Sequence, residues 1–250
     1  MRDVDLIRGR PAQDTVLGWN PRRGGGWDYL VDAQHKIAYI RITRFAKQTS
    51  DEMSRALAEV RRENAQGLIL DLRDNPGGLL SAATDVCDKF LAAGKIVSTR
   101  PDHKTPLAGE TISAKADPND VTDLPMVVLV NRRSESGSEI VTGALQDHHR
   151  ALILGERTAG IASVQMLFPL GQDKAGRHTE YLKLTTYLCY LPLGNCLQRE
   201  ESSQDWGVTP DVTIEPMPVD ARSNVAVPGV GSTADDFPTA AALLVLQLQR

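Results

Sequence analysis

The stretch "GLILDLRDNPGGLLSAATDV", residues 67–86, decides the fold class. Its opening "GLILDL" is a continuous apolar run of the kind found in strands covered on both faces. A polar turn, "RDNPGG", follows, and "LLSAATDVCDKFLAAG" then reads as a helix closed by Gly94. A further strand is expected in "KIVST". Upstream, "KIAYIRI" alternates as a strand, and "SDEMSRALAEVRRENA" carries helical apolar spacing, early acids and Ser50 as an expected N-cap. The order is β-α-β-α-β, and the fold class is α/β with a mostly parallel central sheet and helices packed on it.

Downstream of a polar segment, 100–123, expected to be a mobile surface excursion, the unit recurs. "MVVLVN" reads as a buried strand, "RRSESGSEIVTGALQDHHR" as turn and helix, and "ALILG" as the next strand. Residues 163–192 switch to alternating character, so "SVQMLFPL" and "TEYLKLTTYL", joined by the turn-rich "GQDKAGRH", predict an antiparallel hairpin. The tail ends in an apolar helix within "STADDFPTAAALLVLQLQ", with a core-facing stripe. The first 36 residues hold two short strand-like runs, "DVDLIRG" and "DTVLGW", which read as the edge of another unit.

Composition narrows the function. A net charge of −4 and a pI near 5.8 offer no basic surplus for a phosphate backbone, so nucleic acid is not an expected partner. Cys87, Cys189 and Cys196 form no CxxC pair, so no metal site and no cofactor is expected; Cys189 and Cys196 can bridge across a turn or stay unpaired. The N-terminus has no apolar h-region and no window approaches about 18 apolar residues, so the chain as written is expected neither to span a membrane nor to carry an export signal.

Two turns can carry chemistry. In "NRRSESGSEIVTGALQD" a strand ends at Asn131 and a helix begins between Ser136 and Glu139. A serine there sits among outward N–H groups at the positive end of a helix, which suits a nucleophile; equally, Ser136 with Glu139 three residues on fits a capping box. In "DLRDNPGG" the paired glycines can present N–H groups to an oxyanion, or simply make a tight turn before Pro76 starts a helix.

Taken in order, "GLILDLRDNPGGLLSAATDV", "MVVLVNRRSESGSEIVTGALQDHHRALILGERT", "SVQ" and "LKLTTYLCYLPLGN" resemble the core of the C-terminal processing peptidases, or tail-specific proteases, over roughly residues 36–215. The resemblance implies a serine nucleophile at Ser136 and a glutamine at Gln165. It also implies an oxyanion hole made from the N–H groups of Gly77 or Gly78 and of Gly137. The family's general base is a lysine 25 residues after the serine, in G-K-G-S-V-Q; here that position is Ile161, and Ala162 replaces the following glycine, adding a Cβ where a special backbone angle is expected. Isoleucine offers no lone pair, and no other lysine, Lys174 and Lys183 included, is returned to the serine by any sequence signal. His148 and His149 fall about 18 Å down the helix, at roughly 1.5 Å per residue.

Two readings follow: a serine endopeptidase core acting on protein or peptide substrates with impaired turnover, or an inactive homologue that binds peptides or partner proteins. The expected divisions are 1–36, an N-terminal segment with the last strand of a PDZ domain plus linker; 37–216, the peptidase-family core; and 217–250, a tail and helix. The resemblance suggests an extracytoplasmic setting, and the sequence leaves the oligomeric state open.

Overall fold

The computed structural model describes residues 13–101, 108–115, 117, 123–172, 178–214 and 236–249. The expected strand "DVDLIRG" and the hairpin turn at 173–177 lie outside these residues.

Among the described residues thirteen strands and four helices follow in chain order. Short β1 (Val16–Leu17), β2 (Asn20–Pro21), β3 (Trp27–Asp28) and β4 (Leu30–Asp32) precede β5 (Ile37–Ile42), α1 (Thr49–Arg62), β6 (Gly67–Asp71) and α2 (Leu80–Asp88). Next come β7 (Gly94–Pro101), β8 (Thr111–Ala114), β9 (Met126–Val130), α3 (Gly137–Asp147) and β10 (Leu152–Gly155). The chain continues through β11 (Ser163–Gln172), β12 (His178–Tyr190), β13 (Val212–Thr213) and α4 (Phe237–Leu248).

The central sheet runs β1-β5-β6-β9-β10-β13, with β4 also pairing β5. From β5 to β13 every pairing is parallel; β1 and β4 add antiparallel to β5. All five residues of β6 and of β9 are buried, and their alternation explains why. Leu68, Leu70 and Val128 face one core together with Ala56, Val86 and Val141 of α1, α2 and α3. Ile69, Val127 and Leu129 face the other, where α4 supplies Ala242, Leu243 and Leu246. Each buried leucine of α4 contributes roughly 1.5–3 kcal/mol to holding the helix on the sheet.

The hairpin is present as β11 and β12, but it belongs to a second, antiparallel sheet of order β11-β12-β7-β8. This corrects the reading of "KIVST" as the next strand of the parallel series. Both edges of β6 are occupied, by β5 and β9, so β7 has no place beside it and pairs with β12 instead. The segment expected to be a surface excursion supplies β8 on the outer edge of this sheet. α2 stops at Asp88, well before Gly94, because Phe90 and Leu91 turn inward as buried residues and bond back to Cys87 and Asp88. α1 starts at Thr49, not after Ser50: Thr49 Oγ1 accepts from the Ala46 N–H (2.9 Å) and pairs with Thr15 Oγ1 (2.7 Å) in a buried contact.

Candidate active site

Three serines occupy the turn between β9 and α3 and the first turn of α3, and the structure separates them. Ser134 is buried and its hydroxyl donates to the Leu72 carbonyl (2.8 Å); Ser138 is buried and donates to the Asn75 carbonyl (3.0 Å). Both stitch this turn to the one after β6. Ser136 alone of the three is half-exposed, and its backbone sits at φ 52°, ψ −109°, a region that non-glycine residues rarely enter. The surrounding network must therefore hold it there.

That network has Glu139 at its centre. Its carboxylate, fully buried, accepts from the Ser136 N–H (3.0 Å), the Thr158 hydroxyl (2.5 Å), the Gly160 N–H (2.7 Å) and the Ile161 N–H (2.8 Å). Burial lifts its pKa above the ordinary carboxylate value despite these four donors. The expected capping box of Ser136 and Glu139 is present, and the Glu139 side chain also reaches across to the loop 158–161. Ser136 and Ile161 donate to the same oxygen, Oε2, so their amide nitrogens can be no farther apart than those two bonds laid end to end. In the sequence Glu139 shows only as a cap, and no local signal marks its reach to the loop 158–161.

The NPGG turn lies directly against the serine. Gly77 has φ +84°, and a Cβ there would stand 2.7 Å from Ser136 Cβ and 2.8 Å from the Gly137 nitrogen. Gly78 packs on the backbone of Phe45 so closely that a Cβ would overlap the Phe45 carbonyl oxygen. The two candidate oxyanion donors in this turn differ in one respect: the Gly77 N–H is already given to Asn75 Oδ1 (2.9 Å). The N–H groups of Gly78 and Gly137 take no protein partner among the described residues.

A pocket of about 320 Å³ opens at this point, and Gly78, Ser136, Gly137, Ile161, Gln165 and Lys183 are among its lining residues. The expected site residues other than Gly77 thus meet in one cavity, with Gly77 packed behind Ser136. Two expectations change. Ala162 is buried and has no positive φ, so it needs no special angle; the glycine with one is Gly160, at φ +83°, whose missing Cβ makes room for Trp206. Trp206 is itself held between the guanidinium groups of Arg157 and Arg199. Lys183 does return to the serine's pocket, which the chain order concealed, because β12 folds back along β11. His148 instead accepts a structural role against β7, its ring nitrogen 2.8 Å from the Lys95 carbonyl. All three cysteines are free thiols; burial pushes that of Cys189, beside the pocket, up to about 12.

Comparison with known proteins gives a consistent picture. The model of peptidase family S41 matches residues 36–214. A carboxy-terminal-processing protease of Bartonella bacilliformis is 41% identical over 188 residues, 73% of this chain and 40% of its own length. A carboxyl-terminal-processing protease of Picosynechococcus is 35% identical over 217 residues, 86% of this chain and 47% of its own. Among solved structures, the photosystem II D1 C-terminal processing protease aligns with a TM-score of 0.60 at 29% identity, covering 80% of this chain and 47% of that one. The chain spans less than half the length of these relatives.

Proposed function

The chain belongs to peptidase family S41, and on that premise we propose that it is a serine-type endopeptidase core acting on protein or peptide substrates, with turnover impaired by Ile161. The observation that carries the proposal is Ser136: a half-exposed serine on a strained strand-to-helix turn, facing a pocket beside two unpartnered N–H groups. In this reading Ser136 Oγ attacks the scissile carbonyl. The N–H groups of Gly78 and Gly137 receive the oxyanion, while Gly77 keeps the turn close to the serine. Gln165, exposed on the pocket rim, orients the substrate. A donor pair of this kind is worth about 10²–10³ in rate per donor.

Ile161 supports a second reading, an inactive homologue that grips extended peptides in the same pocket. Removing the base from a serine nucleophile costs on the order of 10⁴-fold, leaving the oxyanion donors and binding. Residues 37–216 form the peptidase-family core in either reading, with 1–36 as a PDZ-linked segment and 217–250 as tail and helix. No helix among the described residues is long and apolar enough to cross a membrane; an extracytoplasmic setting fits the C-terminal processing relatives.

The deciding experiment is digestion of an unfolded protein by the chain and by Ser136→Ala. Cleavage that vanishes in Ser136→Ala supports the peptidase. Saturable binding of an extended peptide without any cleavage supports the inactive homologue.

A further inference from the structure

We propose that Lys183 is the proton acceptor for Ser136 in this chain, reaching the serine from the return strand of the hairpin instead of from position 161. The proposal rests on Ser136 being the nucleophile. Its geometric ground is the strand register. Gln165 pairs with Thr185 and Leu167 with Lys183, and directly paired residues point to the same face of a hairpin. Gln165 and Lys183 are therefore diagonal neighbours, about 7–8 Å apart at the backbone, and both line the serine's pocket. The Lys183 side chain is a four-carbon stem ending in a rotatable amine, and the cavity it lines is the one that Ser136 lines.

The other lining groups do not compete. Gln165 is an amide with no basic nitrogen. Cys189 is buried, and its thiol is held far above neutrality. Glu139 lies behind the pocket with its two oxygens engaged by four donors. Among the described residues Lys183 is the only lining side chain with an amine. Ile161, 37% exposed at the same opening, offers no basic atom of its own.

The proton balance closes. Neutral Nζ of Lys183 takes the Ser136 hydroxyl proton as Oγ bonds to the carbonyl carbon, and the carbonyl π pair moves to oxygen beside Gly78 and Gly137. Collapse breaks the C–N bond, and the Lys183 ammonium gives its proton to the departing amine. Nζ then takes a proton from water as that water attacks the ester. The C–Oγ bond breaks, and the proton returns from Lys183 to Ser136.

The test uses the full chain, with a fluorophosphonate probe reporting serine reactivity and unfolded casein reporting turnover. Lys183→Met is expected to lower both the labelling rate and kcat by about 10²-fold or more, the range of general-base effects. KM and the melting temperature should stay near those of the unaltered chain, since Lys183 is exposed. Methylamine should restore part of the rate to Lys183→Ala and none to Ser136→Ala, a response that loss of packing would not give. Unchanged rates in Lys183→Met overturn the proposal while the serine reading stands. Activity surviving in Ser136→Ala removes the serine reading itself. An unaltered chain that neither labels nor cleaves also overturns the Lys183 assignment, and turnover by Ile161→Lys in the same assay then tells whether the serine reading survives.

Discussion

The carboxylate of Glu139 holds the backbone N–H of Ile161 at 2.8 Å, and with the same oxygen it holds the N–H of Ser136 at 3.0 Å. The two segments that carry the candidate nucleophile and the departed lysine position are thus tied through one buried acceptor. Every group facing that carboxylate is a donor: three backbone N–H groups and the Thr158 hydroxyl. Glu139→Gln would turn an amide NH₂ toward at least one of them, leaving buried donors opposed. The expected loss is about 2–3 kcal/mol, the cost of buried polar groups left without acceptors, measured by urea unfolding. Serine labelling should fall with it, because the strained φ of Ser136 depends on this anchor.

Gly77 faces the same serine from the other side. Gly77→Ala meets Ser136 Cβ at 2.7 Å and must also adopt φ +84°. Gly194→Ala is the control, with a similar φ of +95° and nothing within 4 Å of the added Cβ. The control isolates backbone strain, of order 1–3 kcal/mol. Gly77→Ala should lose at least as much stability and, unlike the control, all Ser136-dependent labelling. Equal behaviour of the two variants in the labelling assay would contradict the contact.

Much of this was legible in the chain order. Apolar runs at 67–72 and 126–131 read as strands covered on both faces, because they are too short for helices and are bounded by turn residues. The serine turn and the glycine turn each showed as punctuation after such a strand. What the sequence hid was pairing. Nothing local to "KIVST" reveals that the edges of β6 are taken, and nothing local to Lys183 reveals that its strand doubles back on the pocket. Ser136 stands out of "SESGSE" through its spacing to Glu139 and the family resemblance, but the stitching roles of Ser134 and Ser138 show only in their contacts to Leu72 and Asn75.

The docking of α4 should be acid-sensitive. Arg73 bridges buried Asp71 (2.6 Å) and Asp236 (2.6 and 2.8 Å), the residue that caps α4 through Thr239. Burial pushes the Asp236 carboxyl up, but its bonds to Arg73 and Thr239 outweigh that and hold its pKa below the ordinary value. A carboxylate with a depressed folded pKa adds stability that is present above its unfolded value, about 3.9, and is lost as pH falls through the lower folded one. Asp236→Asn should therefore cost about 1–3 kcal/mol near neutrality. The gap between the two proteins in denaturant unfolding should narrow below about pH 4, as the carboxylate protonates. A gap that stays constant down to pH 2 would show that the ion pair does not anchor the helix.

Position 161 offers the sharpest functional change. Its backbone is pinned to Glu139 beside Ser136, and its side chain lines the pocket at 37% exposure. Ile161→Lys places an amine on that anchor without disturbing the buried core. Ala162 should be left alone: it has an ordinary φ and is buried in the main core, so Ala162→Gly would add backbone freedom, roughly 0.5–1 kcal/mol of destabilisation, and would also lose a packed methyl. Ile161→Lys alone is expected to raise kcat on unfolded casein, because it adds a second general base to the one at Lys183. Combining it with Lys183→Met should keep that gain, because a base at 161 makes one at 183 redundant. If the double variant is instead as slow as Lys183→Met alone, the amine at 161 does not reach Ser136, and Glu139 holds the two segments in a geometry that suits binding but not proton transfer.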